Sequence, residues 1–267
     1  MRSAVTAALV QIQAQHEVRV LYAAESGSRA WGFASPDSDF DVRFIYVHRP
    51  DWYLRLDEPR DVIEAMLPGD LDLAGWDLRK TLRLYLRSNI ALYEWLDSPI
   101  VYLEAGSLAQ QLRDWLPRAF RAPAGYHHYL STAQGIAHQH LQQPPIRLKK
   151  LFYALRPLLA CRWIRATGAQ PPTAFSQLCQ ADWVSDDERA MIAGLLAAKR
   201  ETGESASSQV ANDVLAWLRS ELMLAEAGAG ALAAEASLKI QDLNPAFLRW
   251  LQEAWPSDAP GQVTYRV

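Results

Sequence analysis

The sequence predicts an α+β fold, with a small α/β domain over residues 1–105 followed by an all-helical domain over 106–267. Two observations carry this. Runs rich in β-branched and aromatic residues lie in the first 105 residues. From about residue 106 onward no convincing strand precedes the tail, and apolar residues recur at helical spacing. Separately, from Trp115 to Ala181 there are 67 residues without one Asp or Glu.

Taken in order, Val5, Leu9 and Ile12 predict a helix over 3–15. Residues 17–24 (EVRVLYAA) read as a buried strand, ending at the small residues of Ser26-Gly27-Ser28. Pro36-Asp37-Ser38 marks a turn. Residues 39–47 (DFDVRFIYV) form a second strand, and alternation sets Asp39, Asp41 and Arg43 opposite Phe40, Val42 and Phe44. Residues 61–67 and 71–76 are two further strands joined by the turn Pro68-Gly69-Asp70, with Asp72 inside the last. After Asp77, Leu78, Leu82, Tyr85 and Leu86 lie on one helical stripe. Leu92, Trp95 and Leu96 repeat it beyond Asn89, a plausible cap.

Further helices are predicted near 107–116, 124–142, 146–167, 173–182, 186–202, 206–227 and 243–255. Pro144-Pro145 and Pro171-Pro172 are placed for helix starts. Pro157 should kink or interrupt its helix. The low-complexity run 225–236 (AEAGAGALAAEA) reads equally as a helix hairpin or a loop.

Composition narrows the class. The chain has 267 residues, half of them hydrophobic, and 21% charged, which excludes a disordered chain. There is no run of about 18 apolar residues to span a membrane. The first residues lack the apolar block of a signal peptide. Two cysteines, Cys161 and Cys179, in no metal or redox spacing, fit a reducing cytoplasm. The acid-free window holds eight bases, Arg118, Arg121, Arg147, Lys149, Lys150, Arg156, Arg162 and Arg165, leaving 19 bases and 30 acids elsewhere. Such a block reads either as a surface facing a polyanion or as a solvated face paired with the acidic half.

The chemistry is concentrated in Gly27-Ser28, Asp39-x-Asp41 and Asp72. A Gly-Ser pair opening a short helix lets backbone N–H groups approach a phosphate, and the Ser28 hydroxyl can donate to the same oxygen. Aspartates at i and i+2 of a strand point the same way, about 7 Å apart along the chain. Both can reach metal ions held about 3.5–4 Å apart. Mg²⁺ takes oxygen ligands, so carboxylates are the right residue type. A third carboxylate from a neighbouring strand can complete one ion's shell and accept a proton from an attacking hydroxyl.

This ordered set resembles the polymerase-β-like nucleotidyltransferase superfamily. Its signature is a hydrophobic residue, Gly and Gly or Ser, a spacer, Asp-x-Asp or Asp-x-Glu, and a distal acid. The segments GSRAWGFASPDSDFDVRFIYV, DLDLAGWDLRKTLRLYLRSNIALYEWLDSPIVY and RLKKLFYALRPLLACRWI resemble one subfamily. These are predicted bacterial and phage nucleotidyltransferases linked by gene neighbourhood to RNA repair. The resemblance covers most of residues 17–181. It implies a mixed-sheet nucleotidyltransferase domain and transfer of a nucleoside monophosphate from an NTP to a hydroxyl acceptor, an RNA end among the candidates. It further implies that Asp39 and Asp41 bind two Mg²⁺ or Mn²⁺ ions, with Asp72 as the distal carboxylate and third ligand. Gly27, Ser28, Lys149, Tyr153 and Arg156 are the expected nucleotide-binding residues, the helical-domain Lys or Arg on the triphosphate being implied by the resemblance.

Other readings stand beside these. Asp70 belongs to the turn and Asp77 is well placed as an N-cap, so the third acid is expected at Asp72, with Asp77 as the alternative. Arg29 could touch phosphate or pair with Asp39 or Asp37. Asp37 and Ser38 read as turn formers, Gly32 as a tight turn, and Trp31 and Phe33 as core. Lys149, Tyr153 and Arg156 share a helical face, which alone is only suggestive. His127, His128, His138 and His140 lack a cysteine or carboxylate nearby to complete a zinc site. An active transferase is the first functional reading. The alternative is a catalytically silent nucleotide- or RNA-binding regulator, antitoxin-like, on the same fold; all three carboxylate positions are filled, which favours the first.

Overall fold

The computed structural model describes residues 1–142, 146–202, 207–208, 212–230, 232 and 236–256. The chain opens with helix α1 (Arg2–His16), strand β1 (Arg19–Glu25), the short helix α2 (Gly27–Trp31) and strand β2 (Phe40–Val47). A 3₁₀ turn over Pro50–Leu54 leads to β3 (Val62–Leu67) and β4 (Leu71–Asp77). Helices α3 (Leu78–Leu86) and α4 (Ile90–Leu96) follow, then strand β5 (Val101–Glu104). The strands form one mixed sheet in the order β3-β4-β2-β1-β5. β2 and β4 run parallel, and every other neighbouring pair is antiparallel.

Alternation decides the two faces of this sheet. Val42, Phe44 and Tyr46 of β2 and Leu71 and Leu73 of β4 pack with Val5, Leu9 and Ile12 of α1. Ile45 and Val47 face the other way, into the core shared with α3, α4 and the later helices. Asp41 and Arg43 have the parity of Ile45, so they lie on the helical side, where the last apolar rung gives way to charge. The turn between β3 and β4 places Gly69 and Asp70 in the left-handed region, at φ 83° and 54°. Two successive positive φ values suit Gly and Asp, which fixes Asp70 as a turn residue. Asn89 caps α4, accepting a hydrogen bond from the Leu92 N–H.

The second half is helical: α5 (Leu108–Ala119), α6 (Ala122–His140), α7 (Leu148–Thr167), α8 (Phe175–Cys179), α9 (Asp186–Thr202), α10 (Asn212–Gly228) and α11 (Ile240–Ala254). The central member is α7, buried along most of its length from Leu148 to Ile164. Its hydrophobicity is not amphipathic because neighbours cover it nearly all round.

Several sequence expectations are corrected. Strand β5 has no counterpart among the predicted strands, because at four residues it is too short for periodicity to register. The expectation of no strand beyond residue 106 fails at a two-residue ladder, β6 (Ile146–Arg147) against β7 (Ser207–Ser208). That ladder also removes 207–208 from the helix predicted over 206–227. The helix predicted over 173–182 shrinks to Phe175–Cys179. Helix α7 continues through Pro157 instead of breaking there. Asp39 precedes β2 and is not in it. Pro144 and Pro145 lie outside the described residues, as do 231 and 233–235 of the Ala/Gly run; α10 carries its first part through Gly228.

Candidate active site

Strand β1 ends at Glu25, a fully buried carboxylate. One of its oxygens accepts the Asp41 N–H at 2.9 Å, and the other accepts the Tyr102 hydroxyl of β5. Burial raises the Glu25 carboxyl above its ordinary range, against the pull of those hydrogen bonds. On the far side of the same strand junction, the Ser26 N–H donates to the Asp41 carbonyl at 2.8 Å. The backbone of Asp41 is thereby clamped from both sides.

Gly27 follows with φ 62°, and a Cβ there would stand 2.5 Å from Asp41 Oδ2. Both the left-handed backbone and the approach of the carboxylate require glycine. Ser28 is buried, and Ser26 takes its place beside Gly27 in lining the cleft.

Asp41 and Asp72 are register partners across the parallel β2–β4 ladder. Directly paired residues on neighbouring strands project from the same face, so their carboxylates converge. Between them lies Arg43, whose Nη2 donates to Asp41 Oδ1 at 3.0 Å and to Asp72 Oδ2 at 2.8 Å. Burial raises the Asp41 carboxyl above its ordinary range; Arg43 opposes this, Asp72 and Asp39 add to it, and Lys149 opposes it from α7. Lys149 therefore lies within electrostatic reach of the carboxylates.

Asp39 is exposed at the entrance to β2. Arg29 donates to the Asp39 and Ser38 carbonyls at 2.9 and 2.6 Å, so its guanidinium staples the backbone leading into the Asp-x-Asp strand. Asp77 sits at the opposite end of β4. It caps α3 through the Arg79 N–H at 2.8 Å and accepts the Tyr53 hydroxyl at 2.6 Å. The structure thus brings Asp72, and neither Asp70 nor Asp77, to Asp41. Among the described residues, no three His, Cys, Asp or Glu side chains already converge as a ligand set.

Opposite the carboxylates, α4, α6 and α7 close a cavity of about 280 Å³. Its lining brings Asp41, Arg43, Ser26 and Gly27 together with Trp31, His128, Tyr129 and Tyr153. It also includes a buried ion pair, Arg156 Nη1 to Glu94 Oε1 at 2.8 Å. Glu94 also accepts the Tyr129 hydroxyl at 2.8 Å and the Trp31 indole N–H at 3.0 Å. Arg156, expected beside Lys149 as a triphosphate ligand, is buried with its charge already matched. Tyr153, half-buried, lines the cavity, and Lys149, also half-buried, is the α7 cation that acts on Asp41.

Sequence reasoning missed Arg43, Glu25, Ser26 and Glu94. The parity of Asp41 and Arg43 was a usable signal for the first; nothing in one sequence pairs Glu94 with Arg156.

The sequence matches, over residues 1–249, the model of a family described as "RNA repair pathway DNA polymerase beta family". It is 41% identical over 256 residues to the uncharacterised protein YcgL of Bacillus subtilis (strain 168), spanning 96% of this chain and 98% of that one. A crystal structure of a nucleotidyltransferase-like protein from Exiguobacterium sibiricum 255-15 aligns with 86% of this chain and 77% of its own. At 15% identity and a TM-score of 0.33, that likeness is too distant to carry an argument. Among the described residues, no helix is long and apolar enough to cross a membrane.

Proposed function

The chain belongs to the RNA repair pathway DNA polymerase beta family, and from that premise we propose that it is a metal-dependent nucleotidyltransferase. It would transfer a nucleoside monophosphate from an NTP to a hydroxyl acceptor, with an RNA end as the acceptor the family points to. The observation that carries this reading is the register pairing of Asp41 with Asp72 beside the Gly27 turn.

The donor set fits a divalent cation. Asp41 and Asp72 already share one cationic group, the Arg43 guanidinium. Their oxygen atoms are the hard ligands that Mg²⁺ or Mn²⁺ prefer. Asp39, Asp41 and Asp72 are the residues that would hold two such ions. When bound, the ions would neutralise charge on the attacking and leaving oxygens of an in-line displacement.

The chain's own residues supply the rest. The Ser26–Gly27 turn presents backbone where a side chain would obstruct a phosphate. Lys149 adds a positive charge from the opposite wall, offsetting triphosphate charge. The acceptor hydroxyl loses its proton to an Asp72 carboxylate oxygen as its oxygen bonds to the α-phosphorus, and pyrophosphate leaves. Glu25 acts only by holding the Asp41 backbone.

The test is incubation with each α-labelled NTP, Mg²⁺ or Mn²⁺, and a panel of RNA, protein and small-molecule acceptors. Label in an acceptor, with pyrophosphate released in equal amount, supports the reading. Absence of label from every acceptor, with nucleotide bound normally, favours the silent regulator instead.

A further inference from the structure

Arg43 is a cation set among ligands suited to a cation. Its Nη2 donates to Asp41 Oδ1 at 3.0 Å and to Asp72 Oδ2 at 2.8 Å, and its Nη1 donates to the Val42 and Asp72 carbonyls at 3.2 and 3.3 Å. One guanidinium thus spans the β2–β4 ladder and offsets the repulsion between two carboxylates that register pairing forces together. A Mg²⁺ ion ligated by the same oxygens would sit about 2.0–2.1 Å from each. Ion and guanidinium then claim the same lone pairs, and like charges this close repel. The remaining Asp41 oxygen, Oδ2, faces the Gly27 backbone.

The fold leaves room for Arg43 to move. Its register partners are Ala24 on β1 and Ala74 on β4. Partners on neighbouring strands share a face, so no bulky cross-strand side chain pins its stem. Asp41 and Asp72 each keep 32% of their side-chain surface exposed, against 19% for Arg43, so an ion can reach both from solvent. Arg43 also lines the cavity together with Ser26 and Gly27. A guanidinium that left the carboxylates would still face the turn that presents its backbone to a phosphate. Its planar fork suits phosphate oxygens as well as carboxylates.

We propose that Arg43 is an exchangeable counterion: it bridges Asp41 and Asp72 until a divalent ion enters with the triphosphate, then releases those oxygens and turns its charge to a phosphate oxygen. The proposal rests on the transferase reading and adds an order of loading. An ion alone must displace Arg43 while nothing receives the guanidinium, and a triphosphate alone meets an Arg43 already paired with carboxylates. Ion and triphosphate together satisfy every charge, so each raises the affinity for the other through this side chain. That coupling is reciprocal by linkage.

The experiment follows two ligands on the full chain, with thermal unfolding recorded for each variant. One is Mn²⁺ alone, read from the paramagnetic resonance signal of the free ion; the other is tripolyphosphate in excess Mg²⁺, read by calorimetry. Arg43→Ala should bind Mn²⁺ alone at least about fivefold more tightly than the unmodified chain, and Mg²⁺–tripolyphosphate at least about fivefold more weakly, the lower end of ordinary coupling between sites. Arg43→Lys keeps the charge without the fork, so it should also gain Mn²⁺ affinity and lose less tripolyphosphate affinity. A merely structural role would move both ligands the same way. Folded variants in which both shift together, or neither shifts, would overturn the exchange. A crystal structure of the unmodified chain with Mg²⁺ and tripolyphosphate reads it directly: Arg43 on a phosphate oxygen supports it, and Arg43 still on both carboxylates overturns it. An unmodified chain that binds neither Mn²⁺ nor Mg²⁺–tripolyphosphate contradicts the transferase reading itself, and with it this one.

Discussion

At Gly27 two constraints meet in one residue. Its φ of 62° excludes a side chain on backbone grounds, and the Asp41 carboxylate excludes one on steric grounds. Gly32 supplies the control, since its φ is 87° but nothing lies within 4 Å of its would-be Cβ. Gly27→Ala and Gly32→Ala should each cost about 1–2 kcal/mol of backbone strain. Only the first should also displace Asp41 and cut nucleotidyl transfer at least tenfold. Equal activity in the two folded variants would show that the close approach to Asp41 is irrelevant to the site. The neighbouring acids separate in the same manner. Asp77→Ala removes a helix cap and the Tyr53 partner, so thermal unfolding should report a loss of about 1–3 kcal/mol with transfer retained. Asp72→Ala should leave the fold and remove transfer. If Asp77→Ala is instead the folded and inactive variant, the third carboxylate is Asp77.

Among the elements, α7 ties most of the molecule together. Its Arg162 binds Glu188 of α9 at 2.8 Å and also Glu221 of α10. Burial alone would raise the Glu188 carboxyl, but hydrogen bonds from Arg162, the Ser185 N–H and Trp217 outweigh it and hold the group down at about 2. A depressed carboxyl contributes stability that is complete above its ordinary range near 4.5 and is lost as pH falls toward 2. Glu25, Asp41 and Asp77, all raised by burial, act in the opposite sense. Glu188→Gln should therefore be less stable at pH 7 and flatten the acid side of the stability curve between pH 5 and pH 2 (roughly the range of linkage for such a carboxyl). An unchanged acid slope in Glu188→Gln would place the sensitivity elsewhere.

How much was legible follows from the range of each signal. Period-2 alternation set the faces of β2, and turn chemistry set Asp70 aside, because both are local. The pairing of Asp41 with Asp72 required the parallel β2–β4 ladder, and periodicity does not encode strand partners. The stripe Lys149, Tyr153 and Arg156 was visible as spacing. That Arg156 turns inward to Glu94 was not, since the two residues are 62 positions apart in the chain. Strand β5 and the β6–β7 ladder are shorter than any pattern that could announce them.

On the scale of the whole molecule, the boundary near residue 105 is a division of composition, and we propose that it is not one of stability. One core runs from Leu21 and Ile45 of the sheet through α3 and α4 into α7 and on to Trp250 of α11. The later helices also reach back by polar contacts. Lys199 of α9 donates to the Phe33 carbonyl, and Trp255 to the His48 carbonyl at 3.0 Å. Calorimetric unfolding should accordingly show one cooperative transition. Two separated transitions would make residues 1–105 and 106–267 independent domains. The shared core also explains why the site forms between the halves: carboxylates come from the sheet, and the facing wall from helices anchored to the same core. The most direct measurement of the central claim is the single-turnover rate of label transfer from an α-labelled NTP, in Mn²⁺, for the unmodified chain, Asp41→Asn and Asp72→Asn, with thermal unfolding recorded for each. The account predicts that both variants fold and that each loses transfer by at least a hundredfold. Folded Asp41→Asn and Asp72→Asn proteins that transfer label at the unmodified rate would contradict it.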